Sequence, residues 1–153
     1  MKILVLYFTR TGSCKLIAEK VCEKTGATLA EISDDKNWQG IWGFLKGGYY
    51  SSRMKSTEPI ITPNVEVSDY DKIVVISPMW ASNAAPAVFS FLSNEKMKIK
   101  ELHFVIKSEG APADSTFAKL EEKICKLDFK YSIVTRLANE ETELNRLIEA
   151  LKD

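Results

Sequence analysis

Short apolar runs alternate along the chain with segments whose apolar residues recur every three or four positions. The runs have the length and the β-branched enrichment of strands. They cover residues 2–8, 28–32, 72–77, 102–107 and 130–136. The first and third runs are almost continuously apolar, which favours central strands covered on both faces.

The segments between these runs predict helices. Apolar residues at helical spacing follow Ser13, follow Asp114 and fill the end of the chain. The resulting order, β-α-β-α-β-α-β-α-β-α, predicts an α/β fold with a parallel sheet between two layers of helices. No linker or repeat divides the sequence, and a chain of this length can bury one sizeable core. We therefore expect residues 1–153 to form a single domain.

Charge and cysteine content narrow the classes of partner. The 21 basic residues balance the 21 acidic ones, so nothing indicates a nucleic-acid partner. No apolar stretch approaches the roughly 20 residues that span a bilayer, and the opening is too short for a signal peptide. The three cysteines and the single histidine lack metal-ligand spacing. We expect a cytoplasmic chain with reduced thiols, no membrane span and no metal.

The first predicted strand runs directly into a helix through a small, hydroxyl-rich turn. The turn consists of Thr9, Arg10, Thr11, Gly12, Ser13 and Cys14. Backbone N–H groups at a helix N-terminus favour an anion, and the hydroxyls add donors. Gly12 allows the backbone to approach a ligand closely. The turn is therefore a candidate phosphate site, and the alternative is an ordinary helix start that Ser13 caps.

Several other phosphate-binding classes are excluded by their chemistry. Neither G-x-x-x-x-G-K-[ST] nor G-x-G-x-x-G occurs in the sequence. Lys20 stands where a cysteine-dependent phosphatase would need an arginine. Thr9 and Ser77 stand where a receiver domain would need acidic residues. The sequence therefore argues against a nucleoside triphosphatase and a classical dinucleotide-binding protein. It argues equally against a cysteine-dependent phosphatase and a receiver domain.

Two further loops follow predicted strands, and ligands of open α/β sheets bind beyond the carboxyl ends of strands. The first loop contains Pro78, Met79, Trp80, Ala81, Ser82 and Asn83, and the second contains Ser108, Glu109 and Gly110. Trp80 stands among small residues with little bulk to pack against, which predicts a flat face open to a ligand; the alternative is that it caps the core. The first loop lacks glycine, so we expect Asn83 to be its residue of positive φ.

Together the three loops resemble those of the flavodoxin family. The resemblance implies a three-layer α/β/α sandwich with a five-stranded parallel sheet of order 2-1-3-4-5, and one non-covalent flavin mononucleotide (FMN). It also implies that residues 9–14 hold the phosphate, that Trp80 stacks on the flavin ring, and that residues 81–83 and 108–110 meet the polar edge of the ring. No side chain need act as a general acid or base.

The family resemblance leaves three functions open. The first is an FMN-binding electron-transfer protein whose partner is a redox protein or a small-molecule electron acceptor. The second is a small FMN-dependent reductase of quinone-like acceptors. The third is an interaction module that has lost FMN, because Cys14 stands where the family usually has threonine or serine. A thiol at a helix N-terminus is expected to have a lowered pKa and to react readily, unless it points into the base of the helix.

Residues 36–57 contain four basic residues, five aromatic ones and no carboxylate. Trp38, Trp42, Leu45 and Tyr49 share one helical stripe, which predicts a helix packed on the sheet through that stripe. The alternative is a glycine-loosened flap near the flavin that contacts a partner or substrate.

Overall fold

The computed structural model describes all 153 residues and contains six strands and five α-helices. In chain order they are β1 (Ile3–Tyr7), α1 (Ser13–Thr25), β2 (Thr28–Ser33), α2 (Gly40–Ser52), β3 (Ile60–Thr62), β4 (Lys72–Pro78), α3 (Pro86–Glu95), β5 (Leu102–Ser108), α4 (Asp114–Lys123), β6 (Phe129–Val134) and α5 (Glu140–Lys152). No helix has the length and apolar content that a membrane crossing requires.

The strands form one sheet in the order β3-β2-β1-β4-β5-β6. Five strands are parallel, and their order confirms the predicted 2-1-3-4-5 arrangement. The sixth strand, β3, was not predicted, and it pairs antiparallel with β2 at the edge, where Ile61 aligns with Ile32. Only three residues long and set between Pro59 and Pro63, β3 is too short to show a strand pattern.

The sheet is covered on both faces, as a buried central strand requires. Val5 and Tyr7 of β1 pack in one core with side chains of α1 and α5. Leu4 and Leu6 pack in the other core, which includes side chains of α3 and α4. The predicted three-layer flavodoxin-like sandwich is therefore confirmed, and it brings the carboxyl ends of β1, β4 and β5 together at one edge.

Candidate functional site

A cleft of about 440 Å³ lies at the carboxyl edge of β1, β4 and β5. This volume is within the range of roughly 300–1,000 Å³ found for small-molecule and cofactor sites. The predicted site residues that line it are Thr9, Arg10, Thr11, Ser13, Cys14, Pro78, Met79, Trp80, Ala81, Ser108 and Glu109. The fold thus brings the three loops singled out from the sequence to one cleft.

Four residues of the predicted site do not line the cleft: Gly12, Ser82, Asn83 and Gly110. Gly12 instead shapes the turn, because its φ of 95° lies in the left-handed region and its N–H donates to Thr9 Oγ1 at 2.9 Å. The Gly110 carbonyl turns away toward the end of β6 and accepts from Arg136 Nε at 3.0 Å.

The start of α1 presents free donors to the cleft. The first helical bond runs from the Leu16 N–H to the Gly12 carbonyl, so the N–H groups of Ser13, Cys14 and Lys15 have no acceptor within the protein. Ser13 does not cap the helix, and its hydroxyl lies 3.4 Å from that of Thr11. Free N–H groups at the positive end of a helix, together with two hydroxyls, match the needs of a phosphate group.

Arg10 ties this turn to the beginning of α2. Its guanidinium donates to the carbonyl oxygens of Trp38 at 2.7 Å and Gly40 at 3.1 Å, and Gln39 Nε2 donates back to the Arg10 carbonyl at 2.7 Å. The guanidinium also lies 5.7 Å from the centre of the Phe44 ring. Arginine is always charged in proteins, so Arg10 is a positive group in the wall of the cleft, and only two of its N–H groups are engaged with these carbonyls.

The expectation of a reactive Cys14 is wrong. Its side chain is 1% exposed and packs beside Tyr7 and Ile17 in the core between the sheet and the α1 layer. Burial raises the pKa of the Cys14 thiol to about 12, and the nearby Lys107 ammonium only partly opposes this effect. Cys22 is less buried, with a pKa raised to about 11 by its burial. The helix N-terminus therefore offers a ligand the Cys14 backbone N–H rather than its sulfur.

The environment of Trp80 is more crowded than the sequence predicts. Its ring lies edge-on to Phe8 at a centroid distance of 5.4 Å and tilted against Trp38 at 5.2 Å. A Cβ at Gly47 would approach Trp80 Cε3 to 3.1 Å. Trp80 thus does have bulk to pack against, yet it stays partly exposed and lines the cleft. Stacking on a flat ligand remains a prediction for its open surface.

The turn after Trp80 departs from expectation at Asn83. The residues of positive φ are Ala81 at 49° and Ser82 at 63°. Trp80 and Asn83 exchange two backbone hydrogen bonds of 2.7 and 2.9 Å across them, which makes a tight two-residue turn. Asn83 is buried and donates from Nδ2 to the Ser51 carbonyl at 2.8 Å. The prediction of a positive φ at Asn83 is therefore wrong, and its side-chain amide instead anchors the turn to α2.

The helix α2 packs through the opposite side from the one predicted. Gly43, Gly47 and Ser51 are its buried residues, and a Cβ on Gly43 would overlap the Trp38 carbonyl group. Trp42, by contrast, is 80% exposed, and its neighbours on the predicted stripe, Leu45 and Tyr49, are at least half exposed. Trp38, which precedes the helix, is buried as expected.

The cleft also contains residues that sequence reasoning did not assign to it. They are Gly43, Phe44, Gly47, Gly48 and Lys107. The spacing of the α2 glycines could have revealed a smooth helix face, and Lys107 directly precedes a loop already singled out. Lys107 Nζ lies 2.6 Å from Glu109 Oε1, and this ion pair lowers the pKa of the Glu109 carboxyl.

An open α/β sheet with a phosphate-type helix start and an aromatic side chain at the same edge defines a class of nucleotide-cofactor protein. The chain belongs to the flavodoxin family, whose model, described as Flavodoxin, matches residues 2–151. A search of curated proteins finds no significant match.

Three solved structures illustrate the shared fold. A flavoprotein from Lactobacillus acidophilus in complex with FMN is 18% identical, with 93% of this chain and 97% of that chain covered and a TM-score of 0.72. Oxidised flavodoxin 1 from Bacillus cereus is 14% identical, with 99% of this chain and 98% of that chain covered and a TM-score of 0.53. An NADPH-quinone reductase from P. pentosaceus is 14% identical, with 98% and 95% covered and a TM-score of 0.53.

Proposed function

We propose that this chain binds FMN in the cleft and transfers electrons between redox partners of the cytoplasm. The observation that carries the proposal is the convergence of the free N–H groups at the start of α1 with the partly exposed Trp80 in one cleft. Membership of the flavodoxin family and the FMN complex of the L. acidophilus flavoprotein support the choice of cofactor.

The residues present fit both ends of FMN. A phosphate group would accept from the N–H groups of Ser13 and Cys14 and from the Thr11 hydroxyl, beside the positive Arg10. The flavin ring would lie against Trp80. FMN supplies one- and two-electron chemistry when it is bound, and the protein supplies orientation and electrostatics.

The walls of the cleft contain no free acid or base. Glu109 is the one carboxylate among the lining residues, and it is paired with Lys107. We therefore assign binding and orienting roles to this chain, with residues 9–14 holding the phosphate and residues 78–81 and 108–109 holding the ring. The burial of the Cys14 side chain argues against the loss of FMN through that residue, because the backbone donor is kept.

The test is a titration of the apoprotein with FMN and, in parallel, with riboflavin. We expect FMN to quench tryptophan fluorescence with one equivalent bound, and riboflavin to bind far more weakly because it lacks the phosphate. Equal binding of the two flavins would contradict the phosphate role of residues 9–14, and no binding of either would favour the interaction module. Steady consumption of a nicotinamide cofactor with a quinone would identify the reductase instead.

A further inference from the structure

The exposed side of α2 is an apolar patch next to the cleft. The α2 patch consists of Ile41, Trp42, Phe44, Leu45 and Tyr49, which are 72%, 80%, 65%, 54% and 50% exposed. A shallow depression of about 540 Å³ lies among Trp42, Leu45 and Tyr49. At their exposures these side chains present several hundred Å² of apolar surface, which is the range of patches that bind partners.

Within residues 36–57, the segment that carries the α2 patch, the charges are all of one sign, and the exposed carboxylates Asp35 and Glu58 flank it. Residues 36–57 contain Lys36, Lys46, Arg53 and Lys55 and no carboxylate. None of these four cations takes part in any of the twelve ion pairs of the molecule. The nearby Asp34 is engaged internally, because it accepts from Trp38 Nε1 and Thr57 Oγ1.

Three of the four unpaired cations lie over aromatic rings instead. Lys55 Nζ is 4.8 Å and the Arg53 guanidinium 5.8 Å from the centre of the Tyr49 ring, and Lys46 Nζ is 5.3 Å from the Trp38 ring. The rim of the patch is therefore positive and its centre is apolar. A complementary surface has an apolar centre and a rim of carboxylates.

The position of Phe44 indicates what kind of acidic partner the α2 patch binds. Phe44 belongs to the α2 patch and also lines the cleft, so an occupant of the patch reaches the mouth of the cleft. We infer that the α2 patch is the docking surface for an acidic redox protein that exchanges electrons at this cleft. The inference rests on the proposed FMN-dependent electron transfer.

Two other occupants fit less well. A second copy of this chain, docked about a two-fold axis, would bring the same cations face to face, and like charges are unfavourable there. An anionic lipid surface would satisfy the cations, but its headgroups neither donate nor accept electrons at the mouth of the cleft.

The test measures electron transfer between the FMN-loaded protein and an acidic [2Fe–2S] ferredoxin by stopped flow, over a range of ionic strengths. We expect the bimolecular rate constant to fall as salt rises. Arg53→Glu/Lys55→Glu should lower it on the order of tenfold at low salt and little at high salt. Lys24→Glu/Lys123→Glu is the matched control, because both lysines are exposed, lack ion pairs and lie at the ends of α1 and α4 remote from the cleft. Trp42→Ala should weaken the complex at every ionic strength.

Equal effects of the two charge-reversed variants, or none from either, would overturn the inference. So would a dimer that Trp42→Ala dissociates, or binding to vesicles of anionic phospholipid that Trp42→Ala abolishes. Calorimetric titration of the apoprotein with the same ferredoxin measures docking independently of the cofactor. If the ferredoxin binds the apoprotein but the protein binds no FMN, the α2 patch is a docking surface and the proposed function is rejected. FMN affinity is measured for each variant and should be unchanged.

Discussion

The helices α1 and α2 both span 13 residues beside the cleft, yet they use their apolar side chains in opposite ways. In α1 the residues that face the sheet are Cys14, Ile17, Ala18 and Val21, and all are buried. In α2 the buried face is made of two glycines and a serine, while most of its large apolar residues face outward.

The difference follows from what each helix packs against. The strand side chains beneath α1 leave room for ordinary aliphatic residues. The surface beneath α2 is already filled by the rings of Trp38 and Trp80, which lie 5.2 Å apart. Only a helix face of glycine and serine can approach them closely. Apolar periodicity therefore predicts the burial of Ile17 and Val21 in α1, where Leu16 is 60% exposed, and it fails for the apolar stripe of α2.

The largest expected effect lies in the core beneath α1. Ile17→Ala should lower the free energy of unfolding by about 2–5 kcal/mol, because it leaves a cavity at a residue that is 1% exposed. Leu45→Ala in α2 should change it by less than about 0.5 kcal/mol. Urea denaturation followed by circular dichroism measures both, and similar losses for the two variants would show that the contrast between the helices does not hold.

The glycine face of α2 is tested by two alanine substitutions. Gly43→Ala should destabilise the fold by about 1–3 kcal/mol, because its Cβ would overlap the Trp38 carbonyl. Gly48→Ala is the control, since no atom beyond its chain neighbours and the nearby backbone of α2 lies within 4 Å of its Cβ, and alanine favours a helix by about 1 kcal/mol over glycine. Thermal unfolding should move the two variants in opposite directions. A neutral Gly43→Ala would mean that α2 does not need its close approach.

Trp80, which packs against α2, and Trp42, which lies within it, should differ in their effect on FMN affinity. Trp80→Ala should weaken binding by about 1–3 kcal/mol, by analogy with stacking of bases on aromatic side chains. Trp42→Ala should leave the affinity unchanged, because Trp42 does not line the cleft. Fluorescence titration with FMN measures both, and an unchanged affinity in Trp80→Ala would remove that residue from the site.

The smallest effect concerns the buried thiol of α1. At pH 8 Cys22 should be alkylated faster than Cys14, which should react only as fast as the protein unfolds, with or without FMN. The pKa of Cys14 rises on folding from an ordinary value near 9.0 to about 12, so its contribution to stability is complete below pH 9 and declines as pH rises toward 12. Alkylation followed by peptide mapping measures the labelling rates of Cys14 and Cys22. Rapid labelling of Cys14 in the native protein would contradict its burial.

Prediction from sequence succeeded where one local signal had one physical cause. The almost continuous apolar run of β4 predicts a central strand covered on both faces, and the apolar period after Ser13 predicts α1. It failed where a distant neighbour decides the outcome. The Asn83 side chain donates a hydrogen bond to the Ser51 carbonyl, and the Trp80 ring packs against the rings of Phe8 and Trp38. Neither partner is near in sequence, so local patterns carry no sign of them.

The small side chains beneath α2 also bear on the motions of the molecule. A helix whose buried face is two glycines and a serine contributes little apolar side-chain surface of its own to the contact with the Trp38 and Trp80 rings. Hydrogen bonds from Arg10 to Gly40, from Ser51 to Ala84 and from Asn83 to Ser51 also hold it. We expect such a segment to open with a lower free energy than α1, so that its amide hydrogens exchange with solvent before those of α1. We therefore expect the cleft to widen through a local fluctuation of α2 while the sheet stays folded, which would give a bulky ring a route in and out on a faster timescale than global unfolding.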